Sequence, residues 1–202
     1  MTAASCDEHQ RIPFQLRPFQ KEHQQEISIL GSVGLAAGKL RIQYTLHQAE
    51  NQAISPVMWP SAQSTPRRRD ELWQSTCMEL FISTPSMQRY WEYNFCPSGD
   101  WNIYQLSDYR STLQVEPSCR QPAITYCQKP GVWELDVVTQ LPNPLIDQPV
   151  LILAITAVVK QQNGELSYWA LHHGGGEADF HRRDGFQLSL VQPDGASINQ
   201  TR

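Results

Sequence analysis

The sequence predicts an all-β chain, a sandwich or barrel of about ten short strands. Three observations carry that reading. Apolar and polar residues alternate with period two in several stretches, most plainly where Leu40, Ile42, Tyr44 and Leu46 interleave with Arg41, Gln43 and Thr45. Gly, Pro and Asn cluster between these stretches, where reversals of the chain need them. No segment sustains a helical period with a cap at each end. At 202 residues the chain suits one domain. A domain of that size buries roughly 70–75% of its unfolded surface without a metal or disulfide staple.

Residues 1–12 are polar and are expected to be a flexible N-terminus, ahead of a single domain over 13–192. Phe14, Leu16 and Phe19 mark a first strand. Pro18 interrupts it and argues for an edge position, because proline has no N–H to give a ladder. Glu26 to Leu30 and Leu40 to Leu46 form the next two strands, separated by Gly31, Gly34 and Gly38. Gln48 to Asp70 is rich in Ser, Pro, Gln and Ala and lacks a period, which assigns it to a long surface loop of the kind that often carries function. Arg69 and Asp70 are placed to fix the end of that loop. Strands follow near 76–83, 90–96 and 101–106, the last two joined by Pro97-Ser98-Gly99-Asp100. Others fall near 122–128, 132–139, 150–160, 166–172 and 185–191, with Gln162-Asn163-Gly164 closing a hairpin. Residues 193–202 form a polar tail, expected to be flexible.

A net charge of −4 and a sequence pI near 5.8 argue against nucleic acid as a partner, and the run Arg67 to Arg69 is answered at once by Asp70 and Glu71. The five cysteines form no C-x-x-C pair, and their odd number fits reduced thiols and a cytoplasmic location. The acidic residues near the N-terminus do not read as a signal peptide, and no apolar run reaches membrane-spanning length, so no membrane partner is expected.

Several short motifs are resolved against chemistry. His173 to Gly176 has the form of a glycine-rich oxyanion loop, but no G-x-S-x-G elbow accompanies it. Gly34 to Lys39 is one residue short of a phosphate loop and leads into a strand. His172, His173, Asp179 and His181 are metal-ligand types without metal-ligand spacing, so no metal is assigned. A non-covalent haem b is the alternative ligand, with Met78 or Met58 facing an imidazole such as His172 or His181.

The stretch from Arg67 to Arg110 carries the candidate site. Residues alternate between two faces in 77–82 and again in 90–95, which puts Glu92 and Asn94 side by side on one face. Most tryptophans are read as core. Trp73 stands at a loop junction and Trp169 lies near the histidine cluster, so both are expected to border an exposed end. A flat indole offers its apolar face to the C–H surface of a sugar ring while neighbouring carboxylate and amide groups take the hydroxyls. Glu79 and Glu92 have the residue types of a glycosidase pair, but binding modules use the same types, and no catalytic residue is assigned.

The blocks Asp70 to Trp73, Cys77-x-Glu79-Leu80-Phe81, Tyr90 to Phe95 with Pro97-Ser98-Gly99-x-Trp101, Tyr109-Arg110, Tyr168 to Leu171 with His173, and Asp179-Phe180-His181 together resemble the DOMON-like domain proteins of bacteria. The resemblance spans about residues 12–191. It implies kinship with a superfamily that includes haem-binding DOMON domains and family 9 carbohydrate-binding modules. It thereby implies a two-sheet antiparallel β-sandwich of about ten strands and a non-catalytic, small-ligand-binding role, with a saccharide as ligand and no cofactor. It also implies sugar contacts for Trp73, Glu79, Glu92, Asn94 and Trp169, in the pattern of two tryptophans around a sugar with polar partners for its hydroxyls. His172 and His181 lie outside that pattern and leave room for another ligand, haem b being the alternative.

Overall fold

The computed structural model describes residues 11–21, 27–36, 38–49 and 57–192. Among them lie twelve strands: β1 (Ile12–Pro18), β2 (Ile27–Ala36), β3 (Lys39–Gln48), β4 (Cys77–Ser83), β5 (Tyr90–Phe95), β6 (Trp101–Leu106), β7 (Gln114–Val115), β8 (Ala123–Lys129), β9 (Val132–Gln140), β10 (Val150–Lys160), β11 (Leu166–Ala170) and β12 (Leu188–Val191). Three-residue 3-10 turns lie at Leu72–Gln74, Asn143–Leu145 and Arg183–Gly185. None is long and apolar enough to cross a membrane.

The strands make one continuous ladder in the order β7-β6-β5-β4-β10-β11-β1-β2-β3-β9-β8, with β12 added beside the first half of β10. Every strand pair is antiparallel. The path curls, and β1 is the link between its two halves. Ile12 to Leu16 pair with β2, while Arg17 and Pro18 pair with β11. β1 therefore passes from one partner to the other, and each part of it, Pro18 included, is paired along one side only among the described residues. The curl brings β3 against β4, where Tyr44 Oη donates to the Glu79 carbonyl at 2.7 Å. Leu40, Ile42, Tyr44 and Leu46 accordingly share one apolar core with Met78, Leu80 and Ile82.

β2 also runs further than its sequence predicts, straight through Gly31 and Gly34 to Ala36. Gly31 is there for clearance. A Cβ on it would sit 1.9 Å from the Gln43 carbonyl oxygen and 2.5 Å from the Phe14 ring. The two-residue strand β7 carries no alternation to announce it. Much of the long loop runs as expected, though residues 50–56 lie outside the described part, as do 1–10 and 193–202. Its far end is pinned by Arg68, whose guanidinium lies 4.1 Å from the Trp101 ring centre and donates to the carbonyls of Ile103, Glu116 and Cys119. Arg69 pairs with Asp100 at 3.2 Å, and Asp70 accepts hydrogen bonds from Asn102 and Tyr104. Cys77, Cys96, Cys119 and Cys127 are free thiols, and Cys6 lies outside the described residues.

One property of this fold sets up the site. Every residue of β4 and of β5 is buried, on both faces. A strand of a curled sheet needs only its inner face covered, so a second layer must lie outside β4, β5 and β6. Loops provide it: Phe81, Tyr90, Tyr104 and Leu106 on the outer face pack with Phe186, and against Trp73 and Phe180.

Candidate functional site

On that outer face the strand register sets polar residues in line. Thr156, Glu79, Asn94 and Asn102 are consecutive partners across β10, β4, β5 and β6, and Phe81, Glu92 and Tyr104 form the adjacent row. Glu79, Glu92, Asn94 and Asn102 are all at most 4% exposed. Buried polar groups in such density have to be hydrogen-bonded or carry a penalty. Most are satisfied. Asn94 Nδ2 donates to Glu92 Oε1 at 2.8 Å, and Cys77 Sγ reaches Asn94 Oδ1 at 3.6 Å. Asn102 Nδ2 donates to Asp70 Oδ1 at 3.0 Å, and Tyr104 Oη donates to the same oxygen at 2.6 Å. Glu79 is the exception. Its Oε2 receives only a long bond of 3.4 Å from Thr156, and its buried Oε1 has no partner among the described residues.

Above Glu79 and Glu92 the covering loops leave a cavity of about 400 Å³. The 3-10 turn Leu72–Gln74 brings Trp73 to one wall, β11 contributes Tyr168, and the segment before β12 contributes Phe180 and His181. Phe81 continues the apolar lining from β4, and Arg110 comes from the segment between β6 and β7. The covering loops are tied to one another by Asp179, which accepts hydrogen bonds from Tyr109 and from Arg110, the latter at 2.9 Å from Nη2. The two non-glycine residues with positive φ among those described, Glu71 (59°) and Arg110 (48°), stand in these same loops. Backbone held in that region costs about 1–3 kcal/mol and persists where surrounding contacts over-determine it.

The electrostatics follow from burial. Desolvation pushes the Glu79 carboxyl well above the usual carboxylate range, and the neighbouring Glu92 adds to it. Desolvation likewise raises Glu92 to about 7, against the hydrogen bond from Asn94 and the charge of Arg110. His181 is moved the other way, to about 4, chiefly by desolvation and then by Arg110. Its Nδ1 lies 2.9 Å from Tyr90 Oη, and its ring packs edge-on to Phe81. Burial raises Asp179, but hydrogen bonds from Tyr109 and Arg110 outweigh it and leave that carboxyl below its ordinary value. Near neutral pH the cavity therefore presents a neutral imidazole, an arginine already held by a carboxylate, and two neighbouring carboxyl groups, of which Glu79 is short of partners.

The sequence-selected residues divide between this cavity and elsewhere. Trp73, Glu79, Glu92 and His181 line it. Asn94 lies beneath, oriented toward Glu92. Trp169 is a correction: it is 1% exposed and belongs to the inner core, its Nε1 donating to Ser167 Oγ at 3.0 Å. Strand alternation is the cause, since on β11 the residue turned toward the cavity is its neighbour Tyr168. His172 is a second correction, being exposed and apart from the cavity lining. His173, which was not selected, bonds the Arg17 carbonyl at 2.9 Å and packs on Phe19. No group of three or more His, Cys, Asp or Glu able to hold a metal occurs among the described residues. Met78 points into the core, on the opposite face of β4 from Glu79 and from the cavity that His181 lines, and Met58 is absent from that lining. Phe81, Arg110, Tyr168 and Phe180 were missed as wall residues, though each lies within a block that carries the family resemblance.

No protein-family profile matches the chain, and no curated protein does. Solved structures do share its fold. A provisionally assigned carbohydrate-binding protein from Bacteroides uniformis superposes with a TM-score of 0.58 at 13% identity, over 91% of this chain and 86% of that one. A family 9 carbohydrate-binding module from Caldicellulosiruptor kristjanssonii, in complex with cellotriose, gives 0.50 at 12% identity over 96% and 87% of the two chains. The same module with glucose gives 0.51 at 11% identity over 96% and 88%. At such identities the likeness is one of fold.

Proposed function

We propose that the protein is a non-catalytic carbohydrate-binding module whose ligand occupies the cavity between Trp73 and Tyr168. In this reading the curled sheet is a sandwich whose two layers share β1, as a distant member of the group to which the family 9 modules and the DOMON-like proteins belong. The observation that carries it is the Glu79 carboxyl group at the cavity floor, with Oε1 unpartnered beneath aromatic walls. A hydroxyl-rich ring answers both features at once: its O–H groups supply the missing donors, and its C–H faces lie against indole and phenol rings. The neighbours in complex with cellotriose and glucose support the same ligand class.

Calorimetric titration of the full chain against a panel of mono- and oligosaccharides tests this. Binding of at least one sugar is expected, weakened by Trp73→Ala and by Glu79→Gln while the circular dichroism of each variant stays that of wild type. Absence of binding across the panel, or binding indifferent to both substitutions, rejects this site as the ligand site.

A further inference from the structure

The cavity differs from a generic sugar site in its charge. Glu79 and Glu92 occupy diagonal positions on adjacent strands, for Glu79 is paired with Asn94 and Glu92 stands two residues before it. Diagonal neighbours across an antiparallel pair lie within reach of long side chains. Of the residues lining the cavity, Arg110 is the single cation when His181 is neutral, and its guanidinium is engaged by Asp179. Glu92 accepts from Asn94 at Oε1, while Glu79 Oε1 is buried without a partner among the described residues. The unpaired oxygen and its neighbour both belong to carboxyl groups, and the walls around them are aromatic faces, which attract cations in desolvated sites.

We infer that the site selects an amine-bearing saccharide, its ammonium group seated at Glu79 and Glu92 and its ring held between Trp73 and Tyr168. The inference rests on the saccharide reading above and narrows it to one ligand class. An ammonium brings three donors and a positive charge to a place that lacks both, whereas a hydroxyl brings one donor and no charge. Charge-assisted hydrogen bonds are roughly twice as strong as neutral ones.

Proton accounting gives a signature that neutral sugars do not share. Glu79 faces Glu92 and, from its own strand, Cys77; Thr156 donates to its carboxyl from β10, and Tyr44 from β3 donates to its backbone carbonyl. Glu92 faces Arg110 from the covering loops and Tyr90 and Tyr104 from β5 and β6. Arg110 apart, none of these is cationic at neutral pH, so the empty pair retains a proton there. A bound ammonium takes over the role of that proton, which leaves for solvent.

Titrations of the full chain at pH 7 with glucose, N-acetylglucosamine and glucosamine, repeated in two buffers of different ionisation enthalpy, test the inference. Glucosamine is expected to bind about tenfold or more tightly than either neutral sugar and to release up to about one proton per ligand. Glu92→Gln should abolish both the preference and the proton release, and Glu79→Gln provides the same test from the other carboxylate. If glucose or N-acetylglucosamine binds as well as glucosamine, the amine inference fails and the saccharide reading stands. If no sugar in the wider panel binds, both fail.

Discussion

The two faces of β4 and β5 are buried alike and built in opposite ways. The inner face presents Met78, Leu80, Ile82, Trp91, Tyr93 and Phe95 to a core supplied by the rest of the curled sheet. The outer face presents Glu79, Phe81, Glu92 and Asn94 to loops and to a cavity. On the first face, burial is itself the source of stability, at about 25 cal/mol for each Å² of apolar surface removed from water. On the second, burial raises the energy of charged groups, and nothing in the packing requires carboxylates there. A buried polar face beside an open volume points to a ligand, whereas a buried apolar face points only to a fold.

Substitutions that move between the faces test this contrast. The largest effect is expected from Trp169→Ala, which empties a site in the inner core: about 3–5 kcal/mol of stability, read as a lower denaturation midpoint with an unchanged slope. A variant that unfolds like wild type while losing sugar binding would return Trp169 to the ligand site.

The next concerns pH. The folded-state carboxyl of Glu92 lies near 7, above its ordinary value, so between about pH 4.5 and 7 the native state holds a proton that the unfolded chain has lost. The associated stability is fully present below pH 4.5 and declines as pH rises through 7, by on the order of 3 kcal/mol. Glu79 extends the same decline upward. Glu92→Gln should flatten the curve of unfolding free energy against pH between 5 and 8. A curve as steep as that of wild type would place the titration elsewhere.

Trp73→Ala comes third. Trp73 is half-buried at the cavity wall, against Tyr104. Its truncation should weaken ligand binding by about 1–3 kcal/mol while costing less stability than Trp169→Ala. Equal losses of stability for the two tryptophans would erase the distinction between the faces.

The smallest effect belongs to the loop clamp. Arg110 is half exposed in its pair with Asp179, so solvent screens that contact. Asp179→Asn is expected to cost about 1 kcal/mol or less globally, yet to raise hydrogen exchange in the covering loops near Arg110 and His181. Unchanged exchange there would show that the loops are held by their aromatic contacts alone.

Period-two alternation and turn chemistry were enough to place most strands and to set Glu92 beside Asn94, because both are local properties of an extended backbone. Residue type marked Trp73, an indole at a loop junction, and the resemblance to carbohydrate-binding modules supplied Glu79 as its polar partner. Local pattern could not decide between Tyr168 and Trp169. Alternation says that adjacent residues point to opposite faces, but which face meets the core depends on how β11 pairs with β10 and β1. It could not foresee that β1 changes partners midway and joins the layers into one curled sheet, since nothing along the strand records which neighbour lies beside it. Nor could it place Arg110, Phe180 and His181 together over β4 and β5, because a loop's path is set by what its side chains close upon. What the sequence by itself determined was the class of fold and the carboxylate, amide and aromatic types available. What only the tertiary structure decided was the cavity: which of those groups share it and which lie in the core, and the burial that leaves Glu79 without a partner.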